Sequence, residues 1–197
     1  MATIRNITAP NLPSAPIAYE QRYQEQLTNT LRLFFNSVTN NANSPKPYGS
    51  FYDTTNQTAA VINTAYPVQC NTTTDAFHVT LDLGTSRYYV TESGVYNIQF
   101  SAQLGKTTSS AGKVYFWLRV NGNDVPHSAS VVGVKDSTGI SVPAWNFVQP
   151  LRSGDYFQLM WSTDDTDITL DAIGASSPVP EVPSVILTVT WVSAIAL

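Results

Sequence analysis

The stretch from Glu92 to Leu104 constrains the fold more than any other part of this chain. After the turn residue Gly94, apolar side chains occupy every second position, whereas the positions between them are mostly polar. A period of two that persists for about ten residues is typical of a strand with one buried face. A strand of this length needs partners, so the sequence predicts a β-domain whose core includes Tyr96, Ile98 and Phe100.

Other strand-like runs recur from residue 48 to the end of the chain, with turn residues between them. The dipeptide Asn121-Gly122, for example, follows one run and favours a tight hairpin turn. Short strands at such spacing are typical of a sandwich or a barrel. The predicted strands lie at 48–54, 59–62, 66–70, 76–82, 86–91, 94–105, 113–121, 128–134, 142–150, 155–162, 167–172 and 184–194.

The last predicted strand, residues 184–194, carries apolar residues on both faces. Such a strand is usually central in its sheet or covered on each side. At the end of a chain, this pattern indicates burial against another subunit. We therefore expect one of its faces to form a subunit interface, and the predicted interface residues are Val185, Leu187, Val189 and Trp191.

The chain carries few charges, because Asp, Glu, Lys and Arg make up 12% of the residues, about half the usual share. A surface built from Thr, Ser, Asn and Gln suits a β-protein whose outer faces are partly covered by other subunits. The formal net charge of −4 argues against a nucleic-acid partner, since phosphate binding needs clustered Lys and Arg.

Cys70 is the single cysteine, so the fold is expected to hold without an internal disulfide, as suits synthesis in a reducing cytoplasm. No run approaches the roughly 20 apolar residues of a transmembrane helix, so no membrane insertion is expected. The first residues lack the apolar core of a secretory signal, so none is expected.

The N-terminal residues 1–16 form a predicted extended arm, because three prolines remove backbone donors and oppose helix formation. Two interpretations are open. The arm is either a disordered tail or a segment that becomes ordered on a neighbouring protein, to which Ile4, Ile7 and Leu12 would supply apolar contacts.

Residues 17–40 show the one long helical pattern in the chain, and residues 41–47 form a linker rich in Asn, Ser and Pro before the β-domain at 48–197. Apolar residues follow one another at spacings of four and three, which places them on one stripe. The helix either packs on its own domain or serves in attachment or oligomerisation, and we favour the second alternative. The predicted attachment stripe consists of Tyr19, Tyr23, Leu27, Leu31, Phe34 and Val38.

Three motifs, at residues 94–100, 118–122 and 151–159, resemble in order and spacing the central motifs of C1q/TNF-like globular heads. This resemblance covers residues 48–197. It implies an all-β, ten-stranded jelly-roll sandwich that forms a trimer, with the last strand near the threefold axis. Core positions in such a head would be Tyr96, Phe100, Phe157 and Leu159.

The chain departs from the secreted animal members of that family, because it has neither a Gly-X-Y stalk nor paired cysteines. The helix and the segment 48–60 resemble structural proteins of bacteriophage virions instead. This second resemblance implies that the homotrimer contacts other virion proteins of the capsid or tail.

Candidate chemistry is sparse. His78 and His127 are the only histidines, and neither is part of a recognisable catalytic pattern, so surface or interface positions are expected. The acidic residues Asp164, Asp165 and Asp167 are weak candidates for Ca²⁺ ligands, but Asp is also frequent in turns for local hydrogen-bonding reasons. No other cofactor is expected.

Two aromatic residues, Tyr115 and Trp117, fall on the face of their strand opposite the apolar residues Phe116 and Leu118. Large aromatic side chains on a nominally outer face are more often found at interfaces than in solvent. We predict that both lie in the trimer interface. The alternative is a platform on which a host surface glycan stacks.

These observations favour a non-enzymatic virion structural protein, made in the host cytoplasm and present as capsid decoration, cement or a head fibre. The alternative is a receptor-binding tip on a tail fibre or baseplate that recognises host surface glycans. An enzyme is disfavoured because no catalytic constellation is visible.

Overall fold

The computed structural model of the protein describes residues 9–137 and 139–195. The chain divides into two compact units, Met1–Pro45 and Lys46–Leu197. Ile4 and Ile7, the proposed arm contacts, lie outside the described residues. Within the described part of the chain, no helix has both the length and the apolar character that a membrane span requires.

The first unit contains one helix, α1, at Gln21–Ala42, preceded by residues 9–16 without regular structure. It begins four residues later than the sequence pattern indicates, because Glu20 has an extended backbone with φ −128° and ψ 122°. Tyr19 therefore precedes the helix, and the apolar stripe begins at Tyr23. No residue of α1 is buried.

The second unit is built from antiparallel strands in two large sheets and one small sheet. The first sheet has the order β12-β7-β15-β1-β4. The second has the order β10-β9-β13-β6-β5, with β11 paired to β9 and β3 paired to β13, and the small sheet has the order β2-β14-β8. The strands are β1 Tyr48–Asp53, β2 Gln57–Thr58, β3 Tyr66–Pro67, β4 Thr72–Phe77, β5 Val79–Asp82, β6 Arg87–Val90, β7 Gly94–Ala102, β8 Leu104–Lys106, β9 Gly112–Val120, β10 Asn123–Asp124, β11 Ser130–Val134, β12 Ala144–Leu151, β13 Tyr156–Thr163, β14 Ile168–Leu170 and β15 Val185–Ser193.

The core lies between the two large sheets, and aromatic rings connect them. The Phe51 ring on β1 lies 5.0 Å from the Tyr88 ring on β6, and the Phe100 ring on β7 lies 5.2 Å from that of Phe116 on β9. The predicted core residues are confirmed, because no more than 4% of each is exposed: Tyr96, Ile98, Phe100, Phe157 and Leu159. Sandwich packing of this kind follows from alternation on both sheets.

The predicted turn at Asn121-Gly122 joins β9 to β10. Both residues have positive φ, 48° and 82°, as a tight hairpin turn that matches the twist of its strands requires. The Asn121 side chain donates to Asp155 Oδ1 at 2.8 Å and accepts from the backbone N–H of Tyr156 at 3.0 Å. This turn is therefore tied to the start of β13.

Several strand predictions differ from the structure. The predicted strand 76–82 is interrupted at His78, whose φ is 59°, and it covers the end of β4 and the whole of β5. Residues 59–62 were expected to form a strand, but the chain turns there and the nearest strand is the two-residue β2. The edge strand β4 was largely missed, because its run Thr-Thr-Thr-Asp has no apolar alternation. Backbone pairing with β1 forms this strand instead.

Candidate subunit interface

The outward side of the first sheet is an extended surface without charge on four of its five strands. We call the residues that point outward from β1, β7, β12 and β15 the uncharged face. None of them is Asp, Glu, Lys or Arg. These residues are Tyr48, Ser50, Tyr52, Val95, Asn97, Gln99, Ser101, Ala144, Asn146, Val148, Pro150, Ile186, Thr188 and Thr190.

Strand register places Thr188 at the centre of this face. It pairs with Ser50 on one side and with Gln99 on the other, and Gln99 in turn pairs with Asn146. These side chains are short or uncharged, so a second surface can approach closely without removing an ion from water. The cost of burying such groups is modest where they find hydrogen-bond partners.

Apolar residues lie on either side of that polar row. Val148 is 62% exposed, Ile186 is 42% exposed and Tyr48 is 38% exposed. Strand register separates Val148 from Tyr48 by the uncharged polar residues Asn97 and Thr190. The uncharged face therefore combines exposed apolar side chains with polar ones and lacks charged residues, in which interface cores are depleted.

A single acidic side chain holds Tyr48 at the edge of the face. The Tyr48 hydroxyl donates to Asp75 Oδ2 on β4 at 2.9 Å, and this hydrogen bond raises the pKa of Tyr48. The Tyr48 ring also stacks on Phe77, with 6.4 Å between ring centroids. The hydroxyl is therefore positioned while the ring is presented outward.

Three of the predicted interface residues on the last strand prove to be core residues of the same chain. Val185, Leu187 and Val189 are at most 1% exposed, so they cannot contact another subunit, and this prediction is wrong. The reason is the position of β15 between β1 and β7, which turns this face of the strand into the sandwich. The other face of β15, with Ile186 and Thr188, belongs to the uncharged face.

Trp191, the fourth predicted interface residue on the last strand, covers one end of the core of its own domain. Its side chain is half-buried and packs against the core cluster. Its Nε1 donates to the carbonyl oxygen of Ser93 at 3.4 Å, and the ammonium group of Lys46 lies 5.3 Å from its ring centroid. Trp191 thus contacts residues of its own domain.

Tyr115 and Trp117 lie on the outward side of the second sheet, opposite the buried Phe116 and Leu118 as the alternation predicts. Both are half-buried. Trp117 Nε1 and Arg119 Nε each donate to Asp124 Oδ1 at 2.7 Å, and the contact with Arg119 lowers the pKa of Asp124. The structure therefore places these aromatic residues on a different face from the uncharged face.

The acidic cluster forms the turn between β13 and β14. Asp165 is ion-paired with the buried ammonium group of Lys106, and its other oxygen accepts from the backbone N–H of Asp167 at 3.0 Å. Asp164 Oδ1 accepts from the backbone N–H of Lys113 at 2.6 Å. Among the described residues, no group of three or more His, Cys, Asp or Glu is arranged to hold a metal ion.

His78 and Cys70 both have neighbours within their own domain. His78 Nδ1 lies 3.3 Å from Glu92 Oε1, and its ring stacks on Phe77 at 4.0 Å. Cys70 is 4% exposed, and burial raises the pKa of its thiol to about 12. A thiol in this state is not a nucleophile at neutral pH, and the Cys70 side chain packs in the hydrophobic core.

Comparisons with known proteins identify the fold. No family model matches the chain, and no curated protein is similar to it in sequence. Among solved structures, an Eiger TNF from S. frugiperda is similar with a TM-score of 0.55 and 10% identity, over 78% of this chain and 97% of that chain. The globular domain of zebrafish complement 1qA protein gives 0.49 and 14%, over 76% and 99%. Murine APRIL gives 0.49 and 10%, over 75% and 100%.

The likeness to Eiger TNF, at this identity, shows a shared fold. The predicted C1q/TNF-like jelly-roll sandwich is therefore confirmed for the second unit. In the chain, this sandwich domain follows an N-terminal unit with one described helix.

Proposed function

We propose that the protein is a non-enzymatic homotrimer whose subunits associate through the uncharged face. The observation that carries this proposal is the lack of any charged side chain at the outward positions of β1, β7, β12 and β15, together with the exposed Tyr48, Val148 and Ile186. Association there buries apolar area, at about 25 cal/mol per Å², and the nearest carboxylate, Asp75, lies at the edge of the face, where it accepts a hydrogen bond from Tyr48. C1q/TNF-like heads assemble as trimers, which supports this choice of oligomer.

The proposed biological role is that of a virion structural protein, as capsid decoration, cement or a head fibre. The first unit attaches the trimer to other virion proteins, and the jelly-roll heads project from the particle. Support comes from the resemblance of the helix and residues 48–60 to phage structural proteins, and from an α1 that carries apolar residues without burying any of them. No cofactor takes part in this role.

The trimer is tested by placing a charge at the centre of the uncharged face. Thr188→Lys would bring three unpaired ammonium groups into the interface, each costing about 3 kcal/mol. We expect sedimentation equilibrium to show a trimer for the natural protein and a monomer for this variant. The control is Thr80→Lys on β5 of the second sheet, where Thr80 is exposed, and this variant should remain trimeric.

A natural protein that sediments as a monomer at micromolar concentration would contradict the trimer, as would an unchanged mass for Thr188→Lys. The virion role has its own test, which is labelled-antibody electron microscopy of intact particles. Label spread over the head shell supports decoration. Label confined to tail tips would instead support the receptor-binding role.

A further inference from the structure

The helix α1 carries more apolar surface than its own chain covers. None of its 22 residues is buried, and Leu33 and Phe35 are 59% and 60% exposed. Most of the stability of helices in proteins comes from packing of an apolar face rather than from intrinsic helix propensity. A stable α1 therefore needs a partner surface.

Four residues of α1 form a continuous line at spacings of four, three and four, which we call the seam: Leu27, Leu31, Phe34 and Val38. This rhythm keeps a line of side chains on one side of a helix that winds around another helix. The charged residues Arg22, Glu25 and Arg32 fall on the opposite side of the helix. There Gln21 donates to Glu25 at 2.9 Å and Arg32 donates to Asn29 at 2.9 Å.

We propose that the seam binds the same seam of the other two copies, so that three α1 helices form a parallel bundle. Burial of the Leu, Phe and Val side chains of the seam removes apolar surface from water, and this stabilises such a bundle. The polar side of each helix remains in water with its hydrogen bonds intact. The other apolar residues, Leu33 and Phe35, stay available for attachment.

A short tether favours copies of this chain over an unrelated protein as the partner. The carbonyl oxygen of Pro47 accepts a hydrogen bond from the backbone N–H of Trp191 at 2.9 Å, and the ammonium group of Lys46 lies over the Trp191 ring. Only Asn43, Ser44 and Pro45 lie between the end of α1 and this anchored segment. Three residues span at most about 11 Å.

The next strand, β1, starts with Tyr48 on the uncharged face. This inference rests on the proposed trimer, in which three such faces meet around one axis. Three helices on tethers of this length would have an effective mutual concentration in the millimolar range. An unrelated protein would have to compete with self-association at this effective concentration. We therefore expect the seam to bind the seams of the other two copies.

Cysteine cross-linking in the full-length protein tests the seam. Leu31→Cys lies on the seam, whereas Leu33→Cys lies on the opposite side of the same helix and is the matched control. Cys70 is buried and its thiol pKa is about 12, so the natural protein should not cross-link. Under mild oxidation we expect Leu31→Cys to form a disulfide-linked dimer at least about tenfold faster than Leu33→Cys, measured on non-reducing gels.

A second pair of variants tests the seam without a cysteine, in case the cysteine substitution itself disrupts the packing of the helices. Leu31→Asp should reduce the helical circular dichroism signal at 222 nm, and Leu33→Asp should leave it unchanged. Equal cross-linking rates, or equal helix loss, in a protein that sediments as a trimer would overturn the seam and leave the trimer intact. A monomeric protein without cross-links would overturn both.

Discussion

At the residue scale, the ion pair between Lys106 and Asp165 is the most consequential contact outside the core. The Lys106 side chain is fully buried, so its charge depends on this partner. The contact with Lys106 lowers the pKa of Asp165 below its ordinary value of 3.8. The pair connects β8 to the turn after β13, and this use of Asp165 differs from the calcium role considered for the acidic cluster.

The ion pair between Lys106 and Asp165 predicts how the free energy of unfolding changes at acidic pH. Because the folded-state pKa of Asp165 is depressed, its stabilising effect is present above its unfolded-state pKa and is lost as the pH falls through the folded-state value. Asp165→Asn should therefore lower the free energy of unfolding by about 1–3 kcal/mol at pH 7. The difference from the natural protein should shrink below pH 4.

Urea denaturation at several pH values measures this difference. Asp75→Asn is a suitable control, since Asp75 binds the Tyr48 hydroxyl rather than a buried cation. A difference between Asp165→Asn and the natural protein that stays constant from pH 7 to pH 3 would contradict the assignment.

At the element scale, β15 and β7 meet at a position that admits only glycine. A Cβ atom on Gly94 would overlap the Trp191 indole and would lie 3.0 Å from the carbonyl oxygen of Ser193. Gly94 is thus required by the close approach of Trp191. It also marks the start of the strand whose alternation dominates the sequence, so the turn before β7 and the packing of Trp191 are one structural unit.

Gly94→Ala is expected to displace Trp191 and to reduce the free energy of unfolding by roughly 1–3 kcal/mol, as overpacking does. The matched control is Gly133→Ala in β11, because no atom lies within 4 Å of the added methyl group there. Chemical denaturation and Trp fluorescence measure both variants. Equal stability of the two would show that Trp191 does not occupy the space beside Gly94.

At the scale of the whole molecule, the proposed trimer links stability to concentration. Subunits that associate only when folded are stabilised by mass action. For a chain of this size, each tenfold rise in protein concentration should raise Tm by about 2–4 °C.

Differential scanning calorimetry over a hundredfold concentration range measures this effect. Thr188→Lys should show a Tm independent of concentration, whereas Thr80→Lys should follow the natural protein. A constant Tm for the natural protein would mean that unfolding is not coupled to association.

Local patterns predicted much of the fold. Residues 94–104 alternate because one face of β7 is buried, and the turn at Asn121-Gly122 was readable because its positive φ values favour those residue types. The sequence pattern does not predict β4, because Thr72–Phe77 forms a strand through backbone pairing with β1. Backbone pairing does not require a periodic pattern of side chains.

The periodicity of the sequence predicts a β-domain, either a sandwich or a barrel, after one amphipathic helix, since periods of two and of about 3.6 are local properties. Which face of β15 is buried depends on the tertiary structure. An apolar run on both faces is compatible with either orientation, and the neighbours β1 and β7 select the one that buries Val185, Leu187 and Val189. The same pairing assembled the uncharged face from four separate stretches, because strand register is set by contacts between residues far apart in the chain.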